Sequence, residues 1–179
     1  TTNDGSFSWY VPTTFPAGTQ YAIRVSGLNF AAPVSDVSDN NFTMAYPELS
    51  YPDNSGINWY GGRTYKIVWS KFAGSNVKIE LLKSQNLYSV ISHSATNSGE
   101  YNWTVPAYIP SGSDYRIKVT SSVFSTAIYD ISANYFSILQ PTVLSPTASG
   151  ITWYGGVEYD ILWNNFDTES VRIDLYKGS

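Results

Sequence analysis

A period of 94 residues runs through the chain without insertion or deletion. Nothing else in the sequence limits the possible folds as much. Trp9 is matched by Trp103 and Trp59 by Trp153, each 94 positions on. Tyr10-Val11-Pro12 lies over Thr104-Val105-Pro106, and Tyr21, Ile23 and Val25 lie over Tyr115, Ile117 and Val119. Trp59-Tyr60-Gly61-Gly62 returns intact as Trp153-Tyr154-Gly155-Gly156, and Val77-Lys78-Ile79-Glu80-Leu81 returns as Val171-Arg172-Ile173-Asp174-Leu175. A unit of this length can bury a core of its own, so the period predicts an array of domains rather than a solenoid of short repeats. In this phase residues 1–45 are the second half of a unit, 46–139 a complete unit, and 140–179 the first half of another.

Within the complete unit the apolar residues recur at every second position. Tyr65, Ile67 and Trp69 share one face; Val77, Ile79 and Leu81 alternate with Lys78 and Glu80; Tyr115, Ile117 and Val119 alternate with Arg116 and Lys118; Phe136 and Ile138 close the unit. A period of two with one apolar and one polar face belongs to antiparallel strands. Turn residues separate the runs at Tyr60-Gly61-Gly62, Ala73-Gly74-Ser75-Asn76, Ser84-Gln85-Asn86, Asn97-Ser98-Gly99 and Pro110-Ser111-Gly112,. A further short strand is expected around Leu87–Ile91. About seven short strands in this length predict an all-β fold of tandem immunoglobulin-like β-sandwich domains.

Composition narrows the function classes. Aromatic residues make up 16% of the chain and charged residues only 13%, with a net charge of −4 and scattered Lys and Arg. No basic patch points to nucleic acid or to an anionic membrane. The absence of cysteine removes disulfides, thiolate metal sites and cysteine nucleophiles,. No stretch approaches the roughly 20 apolar residues of a membrane helix. The chain begins at Thr1 with no visible signal peptide, which is expected of a processed protein or of a window on a longer one,.

The two terminal pieces are complementary halves. Joined, they lack only the counterparts of residues 86–94. Each alone would expose strand edges and half a core. One expectation is that they are a window on a long tandem array. The other is that the last half of one subunit completes the first half of the next, a contact that does not close on itself and so builds a filament.

The ordered motifs resemble the Kre9/Knh1-type repeat family of Ser/Thr-rich surface proteins. The residues that carry the resemblance are Gly62-x-x-Tyr65-x-Ile67-x-Trp69 and Val77-Lys78-Ile79-Glu80-Leu81. They continue through Asn97-x-Gly99-x-Tyr101-x-Trp103-x-Val105-Pro106, Tyr115-Arg116-Ile117-Lys118-Val119 and Asp130-Ile131-Ser132-x-x-Tyr135-Phe136-Ser137-Ile138. The resemblance implies a secreted or wall-associated location, linked in fungi to β-glucan wall assembly, and a modular architecture. It implies no catalytic mechanism.

Catalytic constellations are weak. His93 is the only histidine and sits in Ser92-His93-Ser94, read as an exposed turn, with no nucleophile motif beside it,. Glu80 and Asp174 hold one repeat position in different units, so they cannot converge as glycosidase carboxylates must,. The segment Ser35–Asn41 has oxygen ligands suited to Ca²⁺, but Asp39 becomes Ala133 in the second copy, and an Asp/Ser turn that caps backbone amides is the better reading,. Asp53-Asn54-Ser55-Gly56 loses its carboxylate in its copy, Thr147-Ala148-Ser149-Gly150. No cofactor is expected.

Aromatic residues are the remaining candidates. Trp69 and Trp103 fall on the core alternation. Trp59, Tyr60, Trp153 and Tyr154, read as partly exposed beside Gly-Gly turns, and Tyr88 and Tyr108 are candidate contacts, either between domains or with sugar rings,. Asn41 and Asn102 fit the glycosylation tripeptide, with the middle residue pointing inward,. The expectation is therefore a non-enzymatic structural module of an extracellular filament, sheath or cell-surface protein, whose partners are other copies of itself, neighbouring repeats or cell-wall polysaccharide. The alternatives are a carbohydrate-binding or adhesive stalk and an accessory segment of a large secreted enzyme.

Overall fold

The computed structural model describes residues 1–29, 31–32, 34–124 and 128–178. Among them every regular element is a strand, and no helix is long and apolar enough to cross a membrane. The chain divides into two units, Thr1–Tyr46 and Pro47–Ser179.

The second unit contains a complete sandwich. Its strands are β5 (Glu48–Tyr51), β6 (Asn58–Tyr60), β7 (Thr64–Ser70), β8 (Asn76–Lys83), β9 (Asn86–Thr96), β10 (Glu100–Thr104), β11 (Gly112–Ser121), β12 (Tyr129–Ile131) and β13 (Phe136–Leu139). One sheet has the order β10-β7-β5. The other runs β6-β13-β11-β8-β9, with β12 also paired to β11. The first strand of the unit changes sheets: β5 pairs antiparallel with β7, whereas β6 runs parallel to β13. The arrangement is an all-β sandwich of two sheets, as the alternation in the sequence predicts.

The alternation seen in sequence becomes the core. Leu49, Ile67, Trp69 and Trp103 from one sheet meet Trp59, Val77, Ile79, Leu81, Tyr115, Ile117, Val119, Phe136 and Ile138 from the other. Each such aliphatic or aromatic side chain contributes about 1.5–3 kcal/mol on burial. Trp59 stands at the centre, stacked on Tyr65 at 5.0 Å between ring centroids and 4.4 Å from the ring of Phe136.

Three sequence expectations are corrected. The strand expected at Leu87–Ile91 is an 11-residue edge strand, Asn86–Thr96. It was hard to read because irregular register with β8 breaks its alternation. His93 therefore lies in that strand, exposed, and not in a turn. Glu80, placed by alternation on the wet face, is 7% exposed. Lys78 and Lys118 lie over it on the outer side of the sheet and make its ion pairs, the latter at 4.0 Å.

Residues 140–178 follow the sandwich within the same unit. They form one hairpin, β14 (Thr142–Ser145) with β15 (Leu162–Asn164). The first unit forms two ribbons from β1 (Gly18–Tyr21), β2 (Arg24–Ser26), β3 (Ser35–Val37) and β4 (Phe42–Met44), paired β1-β4 and β2-β3.

Candidate functional site

The sandwich is held at its corners by side chains that bond to backbone. Tyr115 Oη donates to Pro110 O at 2.8 Å, fixing the turn that leads into β11. Ser132 Oγ accepts from Ile117 N at 3.2 Å. Tyr65 Oη accepts from Tyr60 N at 2.9 Å, setting the Trp-Tyr-Gly-Gly turn. Lys83 ties the end of β8 to β11: its Nζ bonds Asp114 Oδ1 at 2.6 Å and lies 4.2 Å from the centre of the Tyr115 ring. The hydrogen bond from Lys83, helped by Ser84, holds the Asp114 carboxyl below its ordinary range. The same bond raises Lys83, and burial raises the Tyr115 and Tyr65 phenols.

The terminal pieces carry these local features at equivalent positions. Tyr21 Oη donates to Pro16 O at 2.7 Å, and Ser38 Oγ accepts from Ile23 N at 3.2 Å. Trp153 stacks on Tyr159 at 4.9 Å, and Tyr159 Oη accepts from Tyr154 N at 3.1 Å. Most side chains at positions equivalent to the sandwich core are exposed here, with Met44 buried and Tyr21, Phe42 and Val171 half-buried. Val119 is fully buried and Val25 is 69% exposed; Leu81 is fully buried and Leu175 is 99% exposed. Trp9, Ile23, Trp153, Ile161, Trp163 and Ile173 are also open to solvent.

A junction ties residues 140–178 to the sandwich. Gln140 N donates to Ser111 Oγ at 2.8 Å, and its Nε2 donates to Pro106 O at 3.2 Å. Asn165 Nδ2 donates back to Gln140 O at 3.2 Å. Arg63 Nε pairs with Asp167 Oδ2 at 3.5 Å. Gly61, Gly62 and Pro141 line a shallow cleft of about 280 Å³ with Phe166 and Thr168. A Cβ on Gly61 would displace the end of the Gln140 side chain from its place in the junction.

The predicted contact residues separate in the structure. Trp59, expected at a partly exposed turn, is fully buried in the core. It is therefore unavailable to a sugar or a neighbouring domain, and only the glycine half of its motif reaches the junction. Tyr60 is half-buried beside Leu139. Trp153 and Tyr154 are exposed on the terminal piece, and Tyr88 and Tyr108 are exposed separately on the sandwich, Tyr88 packing edge-on against Tyr115. Asn41 and Asn102 are both exposed. The Asp130 carboxylate of the candidate Ca²⁺ segment's second copy accepts from Leu49 N at 2.7 Å and from Ile131 N at 2.9 Å. Asp53 likewise accepts from Ala133 N. Among the described residues no group of three or more His, Cys, Asp or Glu could hold a metal ion.

Sequence reasoning did not find the Gln140–Asn165 and Arg63–Asp167 ties. Their repeat equivalents are Tyr46 and Lys71, and Val157 and Ala73, so periodicity gave no signal.

Residues 53–138 match the model of the family described as the Kre9/KNH-like N-terminal Ig-like domain. No curated protein and no solved structure matches the chain. The family is associated with cell walls and secreted proteins. The match runs from the crossing between β5 and β6 to β13, so the sandwich is similar to the Kre9/KNH-like N-terminal Ig-like domain over residues 53–138.

Proposed function

We propose that this chain is a non-enzymatic structural module of an extracellular filament, sheath or cell-surface protein, built from Ig-like units in series, and that its copies associate head to tail. One observation carries the reading. The terminal pieces already hold the local bonds and strand registers of the complete sandwich, yet leave exposed the faces that the sandwich buries. The family match over residues 53–138 supports a wall-associated setting. The junction at Gln140 supports a serial arrangement with restricted bending, because its ties are short and lie on both sides of Pro141.

Light scattering coupled to size exclusion across a concentration series tests the association. Mass should rise with concentration, and deletion of residues 1–45 should abolish the rise. A constant monomer mass would overturn head-to-tail association. The alternative of a carbohydrate-binding stalk is favoured by the exposure of Tyr108, at 77%, whose ring is free to lie against a sugar,. Fluorescence titration with soluble wall polysaccharide, comparing the parent chain with Tyr108→Ala, tests that reading.

A further inference from the structure

We infer that the outer face of the larger sheet binds an acidic polysaccharide, with Lys78, Arg116 and Lys118 taking its carboxylates and Tyr129 and Tyr135 its sugar rings. The site lies wholly within the complete sandwich and does not depend on how copies associate.

Strand pairing builds the face. β8 and β11 run antiparallel, with Lys118 opposite Glu80 and Thr120 opposite Lys78. On the other side of β11, Thr120 stands opposite Tyr129 of β12. Residues opposite each other on neighbouring strands share a face. The alternate residues Tyr115, Ile117 and Val119 fill the core. Lys78, Arg116 and Lys118 are therefore turned outward together, although Lys78 is far from the other two in sequence. Arg116 and Lys118 stand about 7 Å apart along β11, two residues at the rise of a strand.

Charge distinguishes this face from the rest of the sandwich. Elsewhere each cation has a carboxylate of its own: Lys66 has Glu100, Lys71 has Glu48, Lys83 has Asp114, and Arg63 has Asp167. Here three cations share Glu80, which Lys78 bonds directly and Lys118 approaches at 4.0 Å. The two other carboxylates of the sandwich, Asp53 and Asp130, accept from backbone amides. The whole chain carries a net charge of −4, so the surplus of positive charge is local to this face. An anionic polymer is drawn here and repelled elsewhere.

Two tyrosines decide the kind of polymer. Lys118 Nζ lies 4.7 Å from the centre of the Tyr129 ring, and Arg116 Cζ lies 5.4 Å from that of Tyr135. Both tyrosines are exposed. Arg116 Nε donates to Ser132 O at 2.6 Å, which fixes the guanidinium and leaves its Nη groups to fork a carboxylate,. A ring with a cation beside it matches a sugar acid: the apolar face of the pyranose lies on tyrosine while its carboxylate meets the cation. An acidic peptide would use the charges without the rings, and a neutral glucan the rings without the charges.

Calorimetric titration of the full chain with polygalacturonate tests the site, with polyglutamate and a soluble neutral β-glucan as comparison probes. Polygalacturonate should bind more tightly than either and should weaken as salt rises. Arg116→Gln should weaken it by roughly tenfold and Tyr135→Leu by about threefold. Lys66→Gln removes the same charge from the other sheet and should leave binding unchanged. Thermal melts report whether each variant is folded; if Arg116→Gln melts early through loss of its bond to Ser132, Tyr135→Leu carries the comparison. Failure of polygalacturonate to bind the parent chain, or an equal loss in Lys66→Gln, would overturn the site. Polyglutamate binding as tightly as polygalacturonate, with Tyr135→Leu at the parent level, would overturn the sugar acid as its ligand.

Discussion

Trp59 touches the rings of Tyr51, Tyr65, Trp103 and Phe136, with centroid separations between 4.4 and 6.1 Å. Truncation there removes a large buried side chain and leaves a cavity whose rigid aromatic walls relax poorly. Trp59→Ala should cost about 3–5 kcal/mol of sandwich stability, read by chemical denaturation. The ion pair of Lys83 and Asp114 acts at a different level, because about a third of each side chain is in water. An Asp with a lowered pKa contributes stability above the ordinary carboxylate range and loses it as pH falls through its folded value. A Lys with a raised pKa contributes below the ordinary lysine range and loses it as pH rises through its folded value,. Asp114→Asn should therefore destabilise by on the order of 0.5–1 kcal/mol at neutral pH. Melting curves of variant and parent should converge in acid, below the ordinary aspartate range. The core was legible at this scale from period-two alternation alone. The burial of Trp59 was not, because its motif looks like a turn and the crossing of β5 to β6 that carries it inward depends on both sheets.

At the scale of elements, the β8–β9 hairpin shows how turn chemistry and strand pairing divide the work. Its two-residue loop, Ser84 and Gln85, has φ values of +47° and +72°. Two positive values match the twist that favours type I′ loops, where Asn and Gly are the usual occupants. A side chain in this left-handed region costs about 1–2 kcal/mol. Glycine at Gln85 would relieve that cost against about 0.5–1 kcal/mol of extra chain entropy. Gln85→Gly should thus stabilise the protein by up to about 1 kcal/mol in equilibrium unfolding, while Ser84 keeps its bond to Asp114; a loss of stability would mean that the hairpin is not limited by its loop. The turn itself was visible as Ser-Gln-Asn. The length of β9 was not, since a one-sided edge strand need not alternate and irregular pairing shifts its faces.

At the scale of the whole molecule, one repeat position offers opposite outcomes. Leu81 and Leu175 hold the same place, 94 residues apart. The first is fully buried and the second 99% exposed. A carboxylate at Leu81 would be buried without a partner, a cost the sandwich does not survive; Leu81→Asp should lose the cooperative melt. A carboxylate at Leu175 meets only water in a single chain, so Leu175→Asp should leave that melt unchanged. If residues 140–178 are completed by a second copy, however, Leu175 becomes a core position opposite Ile23, and the same substitution should abolish the rise of mass with concentration. The period predicts complementary halves from the sequence, and the strand pairings within the terminal pieces fall at positions 94 residues from those of the sandwich. The junction was not legible, because Gln140, Asn165, Arg63 and Asp167 have no like residues at their equivalent positions. A Leu175→Asp chain that still assembles as the parent does would detach the exposed face from association.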